Sequence, residues 1–397
     1  MPMPLFSLLN PHLLFGAVLF AVSTFLDKTY NLPIADLIIP LYSLWLMLRQ
    51  GSRAATHTMP GVVLAVLLLV WVTISNISHS VPLDYQLRRI LSIATLFIPL
   101  YAFMWSRDKA PLLAMMLGMM LGFTLYFCGS TLHTMATQLD ARALRWIQPT
   151  PVILLAVPFI LRHQASFALR ALFIVAGVVS VLVSFWIEAR GPIVSLPVAL
   201  ILFAGAMFLP MPRLFYAAAL TAALTLHFAT GLYTNAVNQV ITSNHMTISN
   251  MERAAAIDYS LATANQHPWL GISQLTYIQD FPRYFASLPF VQTTVEMVET
   301  PHNTFLEYAV FYGYPAALLM LLAMVRLLWH PTRHALTARH FGTALIVADI
   351  IRLSAFYGIS GIYRPEWFMG ILLLYWLNHH LSTTPTASQP TSSTTGV

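Results

Sequence analysis

The sequence predicts an all-α fold, a polytopic bundle of about twelve membrane-spanning helices with one large loop region. Composition is the first reason, since 58% of the 397 residues are hydrophobic and only 9% are charged. A soluble domain carries about 25% charged residues to cover its surface. The second reason is that apolar stretches of about 20 residues, the length that crosses a hydrocarbon core, recur along most of the chain.

The predicted spans form two groups around one long polar segment. They are residues 8–26, 33–48, 59–78, 90–105, 110–130, 150–162, 167–187, 192–209, 213–230, 303–328, 341–360 and 366–380. Residues 1–230 thus hold helices 1–9, residues 231–301 form a loop domain, residues 302–380 hold helices 10–12, and residues 381–397 form a disordered tail. The first span is expected to be retained, because no Lys or Arg precedes Lys28 as a signal peptide would require.

The basic residues predict the orientation. With both termini in the cytoplasm, ten Lys and Arg face the cytoplasm and nine face the outside, or seven without the long loop, which the positive-inside rule does not count. Nine Lys and Arg on the outer side are more than membrane insertion favours. Moreover, 18 of all 20 basic residues are Arg, whose planar guanidinium group can bind phosphate through two hydrogen bonds. We therefore expect an anion on the outer face, the alternative being arginines that only anchor helix ends.

Three motifs on that face can carry chemistry. In the first, Arg190 follows Glu188 at the end of a span, and Gly-Pro then starts the next helix, whose N-terminal amides can bind the same anion. The alternative is an interfacial Arg190 that pairs with Glu188 and lipid headgroups. In the second, Arg253 lies on an amphipathic loop helix that ends in the turn His267-Pro-Trp-Leu-Gly271; Arg253 is either an anion ligand or a solvated helix residue.

The third motif is Glu299-Thr-Pro-His302-Asn303, at the entrance to a long apolar span. Histidine is the side chain best suited to take a proton near neutral pH, so His302 is a candidate general base. The alternative is a capping or interfacial histidine.

A buried pair is a further candidate. Asp349 and Arg352 lie three residues apart on one face of a predicted span, where ionisable residues are functional candidates by default. They form either a structural ion pair or the lining of a cavity, and such a pair also occurs in proton relays of transporters.

In this order, the three motifs resemble the O-antigen ligase and polymerase superfamily of bacterial envelope enzymes. The resemblance covers most of the chain in span number, length and loop position. Gly313 stands at the family's spacing from His302-Asn303, whereas Ala316 stands where the ligases carry Gly, Thr or Tyr.

The resemblance implies a glycosyltransferase of the bacterial inner membrane that acts at the periplasmic face and needs neither metal nor cofactor. Its donor would be a polysaccharide on undecaprenyl pyrophosphate and its acceptor the lipid A-core oligosaccharide, with membrane lipid but no nucleic acid as a further partner. The family's essential residues would map to Arg190, Arg253 and His302.

The residues agree with such a mechanism. Arg190, with Arg88, Arg89 or Arg253, can hold a pyrophosphate leaving group without a metal, and Arg352 can face the donor lipid. His302 would deprotonate the acceptor hydroxyl, so that a single displacement inverts the anomeric centre. The residues expected to support this chemistry are Glu188, Glu299, Asn303 and Asp349.

Two other functions stay open. An O-antigen polymerase would use another lipid-linked glycan as acceptor. A transporter of lipid-linked glycan would place polar groups at mid-membrane in several spans, whereas only Asp349 and Arg352 clearly lie there.

The predicted orientation is tested with phosphatase fusions. Because residues 231–301 are expected outside, a fusion near Thr242 should be active and one near Arg333 inactive. The reverse pattern of alkaline phosphatase activity would overturn the orientation.

Overall fold

The computed structural model describes residues 5–30, 34–50, 58–136, 151–186, 190–228, 244–288, 301, 303–329, 332–356 and 364–383. Within these ranges the chain folds into 16 helices and no named strand. They are α1 Pro11–Tyr30, α2 Ile34–Gln50, α3 Met59–Ser78, α4 Leu83–Trp105, α5 Ala110–Ala136, α6 Pro151–Ile160, α7 Phe167–Trp186, α8 Arg190–Phe208, α9 Pro212–Phe228, α10 Asn244–Gln266, α11 Gln274–Ala286, α12 Thr304–Tyr312, α13 Tyr314–Trp329, α14 Arg333–Thr337, α15 Phe341–Phe356 and α16 Arg364–Thr383.

The all-helical prediction is confirmed, and each predicted span overlaps one of these helices. Among the described residues, three stretches are long and apolar enough to cross a membrane, namely Met59–Ser78, Leu83–Trp105 and Phe167–Ser184. Shorter apolar helices occur in α1, α2, α5, α8 and α13. The number of about twelve spans and the sidedness of the loop domain stay predictions. The tail prediction falls almost wholly outside the described residues.

Small residues let the helices of the bundle approach closely. α1 packs along α5, where a Cβ on Gly16 would lie 1.9 Å from the carbonyl oxygen of Met115 and one on Gly118 would lie 1.9 Å from that of Leu13. Such backbone-to-backbone contact is typical of membrane helices, in which van der Waals packing drives association. Likewise α2 packs on α4, α3 on α13, and α15 on α6 and α8.

The connecting segments collect at two ends of the bundle. At one, which we call the motif end, Ser75 near the end of α3 donates to the carbonyl of Leu270 (2.7 Å), and the Trp71 indole donates to that of Tyr312 (3.0 Å). The loop helices α10 and α11 pack there against each other, and α10 packs against α12.

The second end, the opposite end, joins segments that are far apart in sequence. Phe6 donates to the carbonyl of Gln164 (3.0 Å), and the Trp376 indole donates to the Gln164 side chain (2.5 Å). Arg213 at the start of α9 donates to the carbonyl of Trp329 at the end of α13. These segments, all of which are predicted to lie on the cytoplasmic side, therefore meet at the opposite end of the bundle.

The tenth predicted span is not continuous, which corrects the sequence prediction. Gly313 breaks residues 303–328 into α12 and α13, with φ at +85°. The turn Pro268–Gly271 docks into this break, since Tyr314 N donates to Pro268 O (2.8 Å) and Ile272 N to Val310 O (2.9 Å). Gly313 followed by Pro315 is a local signal for a helix end that the prediction of one continuous span overlooked. Only the folded chain shows that the turn Pro268–Gly271 docks at this position.

Replacing Gly313 by alanine should destabilise the protein. The left-handed φ costs a non-glycine residue about 1–3 kcal/mol, and the new Cβ would lie 1.9 Å from the carbonyl oxygen of Trp269. The matched control is Gly129→Ala in α5, where a Cβ meets nothing within 4 Å. We expect a lower thermal unfolding midpoint in detergent for Gly313→Ala only. Equal midpoints for the two variants would contradict the docking contact.

Candidate active site

The N-terminus of α12 is fixed by its cap. Asn303 is fully buried in extended conformation, and its side-chain oxygen accepts from the backbone N–H of Leu306 (2.9 Å). This is the N-cap hydrogen bond that satisfies one free helical donor. His302, the predicted base, lies outside the described residues, but its neighbours Pro301 and Asn303 are both buried. The chain is therefore anchored immediately after the position of His302.

One turn into α12, Glu307 forms a buried ion pair across the bundle. Its carboxylate accepts from Arg89 of α4, with 3.1 Å between Arg89 Nη1 and Glu307 Oε1, and the Glu307 side chain is only 1% exposed. Arg89 Nε also donates to the side-chain oxygen of Gln274, the first residue of α11, at 2.7 Å. The guanidinium lies 5.6 Å from the centre of the Phe311 ring. One arginine thus joins α4, α11 and α12.

The partners of Arg89 are not evident from the sequence. Glu307 has a weak local signal, since an acid in the first turn of a helix is favoured by the helix dipole. Gln274 has none, because its role depends on where the loop domain docks. Arg89 was predicted as a pyrophosphate ligand; the structure places it in the ion pair with Glu307, while its neighbour Arg88 is exposed at the same end of α4.

Aromatic rings tie the loop helices to α12. The rings of Tyr277 and Phe281 in α11 stack at 5.4 Å, Tyr277 meets Phe311 of α12 edge-on at 5.4 Å, and Tyr259 of α10 lies 5.6 Å from Tyr277. Burial, with the nearby charge of Asp280, raises the pKa of Tyr259. α10 also contains Arg253, whose side chain lies outside the described residues. The helix of the second motif is therefore packed against the third.

A second ion pair lies in α15. Arg352 Nε donates to Asp349 Oδ1 at 2.9 Å, and the two side chains are 5% and 0% exposed. The structure thus shows the ion pair that was one of the two sequence interpretations. α12, which follows His302, also contacts α15.

The helix that begins at Arg190 packs against the helix that carries this pair. α8 and α15 pack along most of their lengths, and Phe203 near the end of α8 meets Phe341 at the start of α15 (5.3 Å between rings), so the helices are antiparallel. In the sequence, Arg190 precedes Phe203 by 13 residues, and Arg352 follows Phe341 by 11 residues. The first residue of α8 is therefore level with the end of α15 that carries Arg352. Glu188 and Glu299 lie outside the described residues.

Within the described ranges, no group of three His, Cys, Asp or Glu side chains is arranged to hold a metal ion. The buried charged groups that the structure describes there are the two arginine–carboxylate pairs Arg89–Glu307 and Arg352–Asp349.

Comparison with known proteins gives one family. Residues 175–321 match the model of the O-antigen ligase family. The matched region runs from α7 into α13 and contains Arg190, Arg253 and His302. The match confirms the resemblance to the O-antigen ligase superfamily and does not separate the ligase from the polymerase branch. No curated protein matches the sequence.

Because Glu307 is the counter-ion of Arg89, replacing it by an uncharged residue should lower the stability of the protein strongly. Glu307→Gln keeps the shape but leaves Arg89 without its counter-ion, which should cost about 3–5 kcal/mol, as for other broken buried pairs. The control is Asp280→Asn, which breaks the exposed pair Arg283–Asp280 (3.8 Å) and should cost less than about 1 kcal/mol. Thermal unfolding in detergent measures both. Similar midpoints would show that the buried pair contributes little.

Proposed function

We propose that this protein is an O-antigen ligase, a glycosyltransferase of the lipopolysaccharide pathway in the bacterial inner membrane. It would move O-antigen polysaccharide from undecaprenyl pyrophosphate to the lipid A-core oligosaccharide at the periplasmic face. The family match over residues 175–321 and the apolar helices support a membrane enzyme of this superfamily.

One observation carries it: all three motifs belong to the matched region and their backbones lead to the motif end. α8 ends at the opposite end, where Leu209 O accepts from Arg339 (3.5 Å), so the backbone of its first residue, Arg190, lies toward the motif end. The turn after α10 contacts the C-terminal end of α12 there, and Glu307 of α12 pairs with Arg89 of α4. This arrangement supports a single site built from segments that are far apart in sequence.

The arginines fit the leaving group of the proposed reaction. As the bond between the anomeric carbon and the pyrophosphate oxygen breaks, that oxygen keeps the electron pair, and preorganised cations can stabilise its charge. Arg190 and Arg253 would do so, with Arg88, which is exposed at the same end. Arg89 and Arg352 already have carboxylate partners, so they add little net charge and are more suited to holding neighbouring groups in place.

His302 fits the role of base. It would take the proton from the acceptor hydroxyl as that oxygen attacks the anomeric carbon, and the single displacement would invert the configuration. The anchored chain at Asn303 supports this role, because a base must be held within hydrogen-bond reach of the proton it takes. Glu299 would orient the imidazole or act as an alternative base, and Glu188 would support Arg190. No metal is required in this scheme.

A polymerase is the second candidate. It is favoured by Ala316, which departs from the residue types of the ligases; this residue is fully buried in α13, which packs on α3. A transporter is a distant third candidate, because the buried pair Asp349–Arg352 is closed on itself by a 2.9 Å contact.

A deletion strain separates the two enzymes. Loss of a ligase should remove the long lipopolysaccharide ladder in gel electrophoresis and leave lipid-linked polymer in the membrane. Loss of a polymerase should instead leave a band with a single repeat. An unchanged ladder would remove both functions.

The base is tested by His302→Ala. The rate of glycan transfer should fall about a hundredfold or more, the usual size of a general-base contribution, while binding of the lipid-linked donor persists. The residual rate should no longer vary with pH where histidine titrates. His163→Ala is the control, because it removes an exposed imidazole at the opposite end of the bundle. Full turnover in His302→Ala, or loss of donor binding instead of rate, would remove His302 from this role.

A further inference from the structure

The opposite end of the bundle contains a cavity that the proposed reaction does not use. It has a volume of about 360 Å³ and lies between residues 210–214, at the start of α9, and the segment that carries Thr337 and Arg339. The motif end lies at the other end of the same helices. A ligand of this cavity is therefore distinct from the donor and acceptor of the proposed glycosyl transfer.

The charge of the cavity is positive. Arg213 and Arg339 line it, none of its lining residues is acidic, and the charge of Arg333 acts on Arg213. The N-terminus of α9, with Pro212 as its first residue, adds the positive end of a 17-residue helix. An anion would relieve the repulsion between these groups.

The arginines are held in place before any ligand arrives. The guanidinium of Arg213 lies 3.7 Å from the centre of the Trp329 ring and donates one hydrogen bond to the Trp329 carbonyl. Arg339 donates to the carbonyl of Leu209 (3.5 Å). An arginine has five N–H donors, so each of these contacts leaves donors that can reach a phosphate.

The lining of the cavity includes exposed apolar side chains, since Met211 is 61% and Leu214 54% exposed. Phe208, which is 88% exposed, directly precedes Leu209, whose carbonyl accepts from Arg339. At the end of a membrane helix, exposed apolar side chains next to cations suit a molecule that has both an anionic group and hydrocarbon chains.

We propose that this cavity binds the phosphate headgroup of an anionic phospholipid, with Arg213 and Arg339 on the phosphate and the acyl chains along Phe208, Met211 and Leu214. Basic pockets between membrane helices bind anionic headgroups in this manner. The site would give the protein a lipid requirement at the end opposite to its chemistry.

Native mass spectrometry of the full-length protein in detergent tests the site, with phosphatidylglycerol and phosphatidylcholine as probes at equal concentration. We expect one bound phosphatidylglycerol in preference to phosphatidylcholine. Arg339→Gln should lower its occupancy about fivefold and Arg213→Gln/Arg339→Gln further, as expected from the contribution of one arginine near an anionic lipid. The control Arg49→Gln/Arg107→Gln removes two exposed charges, one at the end of α2 and one after α4, that do not line the cavity, and it should keep wild-type occupancy.

Three outcomes would overturn the proposal. Equal binding of the two lipids would show that the headgroup charge is not recognised. Equal losses in the cavity variant and the control would show a diffuse charge effect. Displacement of the lipid by millimolar inorganic phosphate would assign the cavity to a free anion. Arg213 also packs on Trp329, so the double variant could unfold. In that case the occupancy of the single variant Arg339→Gln decides the test.

Discussion

The structure depends on the docking of one turn into one helix break. The segment Pro268–Gly271 enters the gap between α12 and α13, and both Gly271 and Gly313 adopt positive φ there, at 66° and 85°. The two segments are so close that a Cβ on Gly271 would lie 2.4 Å from the backbone of Phe311, and one on Gly313 would lie 1.9 Å from that of Trp269. This contact turns a membrane helix into two pieces and fastens the loop domain to the bundle. The second and third motifs are thereby brought together.

The ion pair between Arg89 and Glu307 continues this arrangement into the bundle. It connects α4 with α12 and, through Gln274, with the first residue of α11, just after the docked turn. Burying two charges is expensive, and the pair is maintained only because each charge finds the other and further hydrogen bonds. A buried pair of this kind defines one position for the start of α12, which is where the proposed base lies.

The two ends of the molecule use arginine differently. At the motif end, Arg89 and Arg352 are paired with carboxylates at 3.1 and 2.9 Å, and Arg190 and Arg253 belong to the motifs proposed to hold a pyrophosphate. At the opposite end, Arg213 packs on the ring of Trp329 and shares a cavity with Arg339, with no acidic lining residue. Paired arginines position other groups, whereas arginines without an acid nearby are suited to bind an external anion.

The sequence by itself determined the helical class, the approximate bounds of the apolar helices and the resemblance to the family whose model matches residues 175–321, because hydrophobic length and motif order are local properties. It also predicted the pair Asp349–Arg352, since residues three apart share a helix face. The tertiary structure alone decided which segment docks at the break at Gly313 and which residues are the partners of Arg89. Both depend on segments more than 30 residues away in the chain, such as Trp269 and Glu307. Contacts of that kind leave no periodicity in the sequence, so only the folded chain specifies them.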